Sequence, residues 1–212
     1  MIIAIILAAG ESRRMAGKSG EPILKQLLPY GKSTILETII HTIQKSRIDQ
    51  TVIVLGHQRN KIQPMIQKYP LHIIYNPQYK KGMLTSIQAG IRNALRLFPK
   101  ITDMKKQDAI MIFLGDQPFI NHSTIHKLIR SSRKYPQKIL IPIHRKKRGH
   151  PVLLPRIYTK EILQIPVHKG LRELMQNHPD KIEEIPITKN SILRDIDTPE
   201  EYQREMKRLR RK

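Results

Sequence analysis

The sequence predicts an α/β protein built on a doubly wound, mostly parallel sheet. Short apolar runs alternate with amphipathic helical patterns along the chain, which is typical of such sheets. The first run, residues 2–7, is uninterrupted, as expected for a central strand buried on both faces. The length of 212 residues suffices for one such unit with a sizeable core. We therefore expect a single domain over residues 1–212, with a basic C-terminal tail at about 203–212.

The remaining elements follow in order. Thr34 and Glu37 have the spacing of a capping box, and they begin a helix with an apolar stripe that ends at Ile43. Further helices are expected over 58–68, where Pro64 would restrict or kink the chain, over 84–97 and over 121–134. Strands are expected over 51–55, 71–75, 109–114 and 138–142.

Three loops follow the predicted strands and should meet at one edge of the sheet. Ligands of open α/β sheets bind beyond the carboxyl ends of the strands, where the strand order reverses. The loops at those ends are residues 8–25, 76–83 and 115–118. The binding site is expected where they converge.

The first loop has the composition of a site for a nucleoside triphosphate. The chain enters this loop with the sequence Leu7-Ala8-Ala9-Gly10-Glu11-Ser12-Arg13-Arg14-Met15. Small residues let the backbone approach a ligand, and successive N–H groups can cradle phosphate. The two arginines supply forked donors for phosphate oxygens. Taken alone, the glycine turn is equally compatible with an ordinary strand-to-helix connection and solvated arginines.

Two carboxylates are candidates for a metal clamp. Asp116 directly follows an apolar strand, a position from which a carboxylate can hold Mg²⁺ against a triphosphate. Capping of the next helix is its alternative role. Asp197 precedes Thr198 and Glu201, a second capping-box pattern, and is free to complete the clamp. Taken alone, it would be a solvated turn residue.

Other polar residues in the same loops are candidate ligands of the nucleotide. Lys25 is a candidate for phosphate. Gly82 permits close approach at the start of a helix, and Ser86 and Gln88 could bond a base or a ribose. As isolated residues, the lysine would be a surface residue and the glycine a turn.

Composition limits the class of protein. The net charge of +22 attracts anions such as nucleotides, although a solvated basic surface is the plainer explanation. Nucleic acid is disfavoured as a partner, because no aromatic residue lies in the basic runs 144–148 and 207–212. The absence of cysteine excludes disulfides and thiol catalysis, and a cytoplasmic location is expected. No apolar stretch is long enough for a membrane span, and residues 1–15 lack the pattern of a signal peptide.

Two further patterns do not form their usual sites. Residues 16–19, Ala-Gly-Lys-Ser, end like a P-loop, but Ser12 stands where a P-loop requires glycine. His122 and His126 have the i, i+4 spacing of metal ligands, yet no third ligand accompanies them, so solvated side chains are expected.

Six motifs in a fixed order resemble those of the molybdopterin nucleotidyltransferases, the MobA-like NTP transferases of molybdenum cofactor biosynthesis. They are the Leu-Ala-Ala-Gly-x-Ser-x-Arg-Met loop, Lys25 with Leu27-Leu28-Pro29, Gly82-Met83 with Ser86, Gly115-Asp116-Gln117-Pro118, Gly149-His150-Pro151 and Asp195-Ile196-Asp197-Thr198-Pro199. The resemblance runs from residue 2 to about residue 202 and is strongest to the cytidylyltransferase branch. It implies a Rossmann-like, three-layer α/β/α fold.

The resemblance also implies a reaction and its participants. The terminal phosphate of molybdopterin would attack the α-phosphate of CTP in the presence of Mg²⁺, with release of pyrophosphate. Arg14 and Lys25 would act on the phosphates, while Asp116 and Asp197 would hold the metal. The implied nucleotide-binding residues are Leu7, Ala8, Ala9, Gly10, Ser12, Gly82, Ser86 and Gln117, and those facing the second substrate are Gly149, His150 and Arg172. A molybdoenzyme or its chaperone is a further candidate partner.

Several alternatives stay open at the level of sequence. The chain is longer than the family pattern between Met15 and Lys25, so Lys18 competes with Lys25 as the phosphate lysine. By resemblance to the cytidylyltransferase branch, Ala9 and Gln117 favour cytosine, but GTP or another NTP, with molybdopterin or a sugar or alcohol phosphate as acceptor, remains an alternative. A basic nucleic-acid-binding module that has kept the fold is a third possibility.

Overall fold

The computed structural model describes residues 1–15, 23–99 and 108–210. Its strands are β1 (Ile2–Ala8), β2 (Pro29–Tyr30), β3 (Ser33–Thr34), β4 (Gln50–Leu55), β5 (His72–Tyr75), β6 (Ala109–Leu114), β7 (Ile139–His144), β8 (Lys147–Arg148), β9 (Val152–Pro155) and β10 (Ile182–Pro186). Its α-helices are α1 (Ile35–Gln44), α2 (Arg59–Ile66), α3 (Met83–Leu97), α4 (His122–Lys134), α5 (Thr159–Gln164), α6 (Arg172–Asn177) and α7 (Pro199–Leu209).

A mostly parallel sheet forms the centre of the molecule, as predicted. Its strands lie in the order β10-β7-β9-β6-β1-β4-β5, and β8 pairs with β7. The first strand, β1, pairs in parallel with both β4 and β6, and Leu7 lies opposite Val54 and Leu114. The carboxyl ends of these three strands are therefore level, which brings the loops that follow them to one edge.

Five strands were not predicted from the sequence: the two-residue strands β2, β3 and β8, and the longer strands β9 and β10. The four residues of β9 run antiparallel to β6 and β7, between which they lie. Pro151 and Pro155 flank its short apolar run, and prolines weaken a strand prediction. The edge strand β10 pairs with β7 and carries exposed or half-buried acidic residues, so its sequence shows no continuous apolar run.

Helices cover both faces of the sheet. Alternate side chains of β1 point in opposite directions, as the strand period requires. Ile2, Ala4 and Ile6 belong to the core cluster with α1, α2 and α4, whereas Ile3 and Ile5 pack with α3 and α5. This arrangement confirms the three-layer expectation and explains why residues 2–7 are apolar without interruption.

The predicted helix signals correspond to observed contacts. Thr34 and Glu37 form a reciprocal capping box at the start of α1, with Thr34 Oγ1 accepting from the Glu37 amide at 3.2 Å. The helix α2 continues through Pro64 and ends at Ile66. Gly90 lets α3 approach the sheet, because a Cβ there would lie 2.7 Å from Ile5 Cγ2. No helix within the described ranges has the length and apolarity that a membrane span requires.

Candidate active site

A cleft of about 280 Å³ opens at the carboxyl ends of β1 and β6. Described residues from all three predicted loops line it, so the expected convergence is confirmed for that part of the chain. Residues 16–22 of the first loop, including Lys18 and most of the P-loop-like run, lie outside the described residues. The lining residues are Leu7, Ala9, Gly10, Ser12, Arg13, Arg14, Lys25, Gln26, Tyr79, Gly82, Met83, Ser86, Leu114, Gly115, Asp116 and Asp197.

A lysine bridges the two candidate metal carboxylates. Lys25 Nζ lies 2.5 Å from Asp116 Oδ2 and 2.6 Å from Asp197 Oδ1. All three side chains are largely buried, with exposed fractions of 11%, 21% and 13% respectively. Burial lowers the pKa of Lys25, but attraction to Asp116 and hydrogen bonds to both carboxylates outweigh it and raise the pKa above its usual value. The lysine is therefore a fixed cation at the base of the cleft.

Arg14 adds a second cation on the solvent side of this cluster. Its Nη2 atom lies 2.5 Å from Asp197 Oδ2, and three quarters of the side chain is exposed. The short 3₁₀ turn that carries it is anchored by Met15, which is 1% exposed and whose amide bonds the Ser12 carbonyl. Arg13 also lines the cleft, but it pairs with Glu11. Of the two arginines in the loop, only Arg14 joins the carboxylate cluster.

Backbone contacts fix Asp197. Thr198 and Glu201 form the capping box at the start of α7, and Glu201 Oε2 also accepts from the Asp197 amide at 2.9 Å. One carboxylate therefore orients both the helix start and the site residue before it. Ile196 N donates to the Asp116 carbonyl at 3.1 Å and ties the two acidic segments together.

Glycine brings Asp116 close to the first strand. The Gly115 amide donates to the Leu7 carbonyl at 2.9 Å, and a Cβ on Gly115 would lie 2.8 Å from the same oxygen. Any larger residue would push this turn away from β1. The glycine before Asp116 is therefore required by a close backbone approach.

The carboxylate pair suits a divalent cation that is also bound by substrate. Asp116 Oδ1 is buried and accepts no hydrogen bond from the described residues. No group of three or more His, Cys, Asp or Glu side chains suitable for a metal occurs in the described part of the chain. Mg²⁺ is commonly held by one or two carboxylates together with substrate phosphates. The residues present therefore fit such an ion, provided that a phosphorylated ligand completes its coordination.

The other end of the cleft is apolar and aromatic. Ala9 and Tyr79 line it, and Gly56 packs behind both, since a Cβ on Gly56 would lie 2.7 Å from Ala9 O and from Tyr79 Cβ. His57 N donates to the Ala9 carbonyl at 3.1 Å and fixes that turn. Tyr79 was not among the predicted ligands of the nucleotide, although its position within the loop 76–83 was a signal for it.

Hydrogen bonds organise the start of α3 at this end. Ser86 lines the cleft and accepts from Asn76 Nδ2 at 3.0 Å. Gly82 lies there with φ +114°, in the region that favours glycine. The suggestion that Gln88 bonds the nucleotide is wrong, because its amide donates to the Ile162 and Ile165 carbonyls at 2.9 Å.

Two implied nucleotide residues do not line the cleft with their side chains. Ala8 is fully buried and belongs to the core. Successive side chains of an extended chain point to opposite faces, so Ala8 points away from the side that Leu7 and Ala9 face. Gln117 is 5% exposed and absent from the cleft lining, and its Oε1 has no hydrogen-bond partner among the described residues. Its neighbour Asp116 faces the cleft, and the turn directs Gln117 inward.

The residues implied for a second substrate lie outside the cleft lining. Gly149 packs on the Ile192 carbonyl, and His150 N donates to that oxygen at 3.1 Å. Burial lowers the pKa of His150 despite the opposing charge of Asp116, so its imidazole is neutral near pH 7. Arg172 is exposed at the first residue of α6. The charge of Asp116 therefore acts on His150, whereas Arg172 lies at the surface.

Relatives cover nearly the whole chain. The chain is 29% identical over 206 residues to the molybdenum cofactor cytidylyltransferase of Escherichia coli. The matched region covers 95% of this chain and 93% of that protein. It is 25% identical over 211 residues to the nicotine blue oxidoreductase of Paenarthrobacter nicotinovorans, with 96% and 95% covered.

Solved structures share the fold. Rv0371c of Mycobacterium tuberculosis superposes with a TM-score of 0.78 at 23% identity, covering 97% of both chains. A second crystal structure of that protein, in complex with manganese, gives a TM-score of 0.73 at 22% identity over 97% of this chain and 98% of that chain. The model of the MobA-like NTP transferase domain matches residues 4–182. The chain belongs to the MobA-like NTP transferase family of nucleotidyltransferases.

Proposed function

We propose that the protein transfers CMP from CTP to the terminal phosphate of molybdopterin and releases pyrophosphate. One observation carries the proposal: a buried lysine held between two carboxylates, at the base of a cleft whose other end is formed by a small-residue loop. This arrangement supplies charge and position, which are what phosphoryl-type transfer requires. The cytidylyltransferase relative supports the choice of nucleotide and acceptor.

In the proposed reaction, an anionic phosphate oxygen of the acceptor attacks the α-phosphorus of CTP. The bond between the α-phosphorus and the bridging oxygen of the β-phosphate breaks, and pyrophosphate leaves with those electrons. The nucleophile is already deprotonated, so no general base is needed. Lys25 keeps one N–H free after donating to two carboxylates, and we assign this donor to a phosphate oxygen. Arg14, exposed beside Asp197, is assigned to the outer phosphates.

We assign Asp116 and Asp197 to a divalent cation, with Mg²⁺ as the physiological ion. When bound, this ion would act as a Lewis acid and neutralise charge on the triphosphate. Asp116 Oδ1, which accepts no hydrogen bond from the described residues, supports the assignment, as does the manganese complex of a protein with the same fold.

We assign the apolar end of the cleft to the nucleoside, between Leu7, Ala9 and Gly10 on one side and Gly82 and Ser86 on the other. Ser12 lines the cleft beside the phosphate-binding arginine. Backbone groups of Ala8 contribute, while its side chain supports the core. We place the acceptor toward Gly149, neutral His150 and Arg172.

The direct test is to incubate the protein with Mg²⁺, molybdopterin and each NTP separately and to measure pyrophosphate. Release that requires both molybdopterin and CTP is the expected result. Release with CTP and a sugar or alcohol phosphate, but not molybdopterin, would instead assign another acceptor. Absence of pyrophosphate with every NTP would contradict a nucleotidyltransferase function in this chain.

Base choice gives a quantitative prediction. The Ala9 methyl group narrows the nucleoside end of the cleft, and cytosine needs less room than guanine. A difference in how well two bases fit a pocket changes their relative transition-state binding by about 1–3 kcal/mol, which is about 10- to 200-fold in kcat/KM. CTP should therefore exceed GTP by at least about tenfold, and Ala9→Gly should reduce this preference only in part, since backbone groups can also read the base edge. Competition assays at equal CTP and GTP measure it, and equal use of both would exclude the cytidylyl assignment.

A further inference from the structure

A second cavity, larger than the cleft, carries several basic side chains in its lining. Its volume is about 1040 Å³, and we call it the basic cavity. It lies next to the loop that follows β6, because Pro118 and Phe119 line it while Asp116 lines the cleft. Five Lys and Arg side chains face it, against one carboxylate, Glu205: they are Lys45, Arg145, Lys189, Arg194 and Arg208.

The single carboxylate leaves most of this charge uncompensated. Glu205 forms ion pairs with Arg194 and with Arg208, the latter at 2.6 Å. Lys45, Arg145 and Lys189 form no ion pair within residues 1–15, 23–99 and 108–210. Cations gathered around a concave surface raise the local potential and attract anions.

A buried hydroxyl in the cavity wall has no hydrogen-bond partner among the described residues. Ser191 is 6% exposed, and its Oγ makes no hydrogen bond to the described residues. It lines the basic cavity together with its neighbour Lys189. A buried polar atom without a partner is costly, so a ligand that accepts a hydrogen bond from Oγ would remove that cost.

The first turn of α4 contributes a further favourable feature. Asn121 caps this helix of 13 residues through Thr124 N at 2.9 Å, and Asn121 and His122 line the cavity. The first turn holds no acidic residue. The N-terminus of a helix favours negative charge through its free N–H groups.

We propose that the basic cavity is a second anion site, which binds a small phosphate-bearing ligand separately from the catalytic cleft. Stacked bases of a nucleic acid are a poorer fit, because the face of Phe119 is covered by the Arg194 guanidinium at 3.8 Å and its ring meets Tyr30 edge-on. The site does not depend on which nucleotide the cleft accepts.

Calorimetric titration with inorganic tripolyphosphate, without metal, tests the proposal. We expect two sites in the wild-type protein, one of them lost in Lys25→Ala and the other in the double variant Arg145→Ala/Lys189→Ala. The matched control is Arg92→Ala/Lys160→Ala, which removes two exposed cations outside both cavities and should retain both sites. Loss of the second site in the control would show that binding there depends on the overall positive charge of the protein, and it would overturn the proposal.

Ser191→Ala separates a built site from mere electrostatic attraction. Because Oγ bonds none of the residues that the structure describes, the variant should unfold at an unchanged or higher temperature. Its affinity at the second site should fall about tenfold, as expected for loss of a hydrogen bond to a charged group. Unchanged affinity, or a single wild-type site that Arg145→Ala/Lys189→Ala leaves intact, would contradict the assignment. Tighter binding of a single-stranded oligonucleotide than of tripolyphosphate would assign the surface to nucleic acid instead.

Discussion

Asp116 shows how a single position combines a backbone role with a chemical one. Its carbonyl accepts from Ile196 N, one carboxylate oxygen contacts Lys25, and the other has no partner in the described part of the chain. The capping role that the sequence left open falls instead to Asn121, whose side chain caps α4. Asp116 is thus free to face the cleft.

Asp116→Asn should abolish turnover and leave the fold intact. The amide keeps the shape of the side chain but removes the charge that would hold a divalent cation. Pyrophosphate release and thermal unfolding should be measured together. Asp195→Asn is the matched control, because this carboxyl lies close in sequence to Asp197 but outside the cleft lining, and it should keep most activity. Near-normal turnover of a folded Asp116→Asn protein would remove the metal assignment.

Lys25→Ala should lower kcat/KM more than Lys18→Ala. Lys25 is fixed between two carboxylates at the base of the cleft, whereas the assignment of Lys18 rests on sequence spacing alone. Loss of Lys25 also removes the ion pair of the largely buried Asp116, while Asp197 keeps its pair with Arg14, so the thermal stability of Lys25→Ala should fall as well. Kinetics of both variants under identical conditions decide the matter, and a larger loss at Lys18 would reverse the assignment.

At the scale of elements, short sequence signals predicted local structure well where both partners lie close in the chain. The capping boxes at Thr34 and Thr198 were visible because their partners stand three residues on. The pairing of Lys25 with Asp197 spans 172 residues, and nothing local specifies it. The same limit explains Gln88, whose acceptors lie on another segment, and β9, whose antiparallel insertion depends on its neighbours.

The two capping boxes allow a controlled test of how α7 positions Asp197. Thr198→Ala and Thr34→Ala remove the same hydrogen bond, and each should cost about 1 kcal/mol of unfolding free energy. Only Thr198→Ala should also lower kcat/KM, because Glu201 orients the Asp197 amide from that helix start. Urea unfolding and steady-state kinetics measure the two effects. Equal activity of both variants would show that Asp197 does not depend on this helix.

At the scale of the whole molecule, periodicity predicted the layers but not the full strand order. The apolar run of β1 required burial on both faces, and β1 does lie inside the sheet with helices on either side. Convergence of the loops followed from strand polarity alone. The inward turn of Gln117 did not, because side-chain direction beyond a strand's end depends on the geometry of the turn. Residues 203–209 of the predicted basic tail lie within α7, while 211–212 lie outside the described residues.

The net charge of +22 predicts strong salt dependence for capture of the nucleotide. Surface cations attract a triphosphate over distances that salt screens, with a Debye length of about 10 Å at 0.1 M. Lys25 and its carboxylates are largely buried and should be screened less. Raising NaCl from about 50 to about 200 mM should therefore raise the KM for the nucleotide several-fold and change kcat little. An equal concentration of a neutral osmolyte is the control. A KM that stays constant across this range would show that the general field of the protein contributes nothing to binding, and that Arg14 and Lys25 alone provide the attraction.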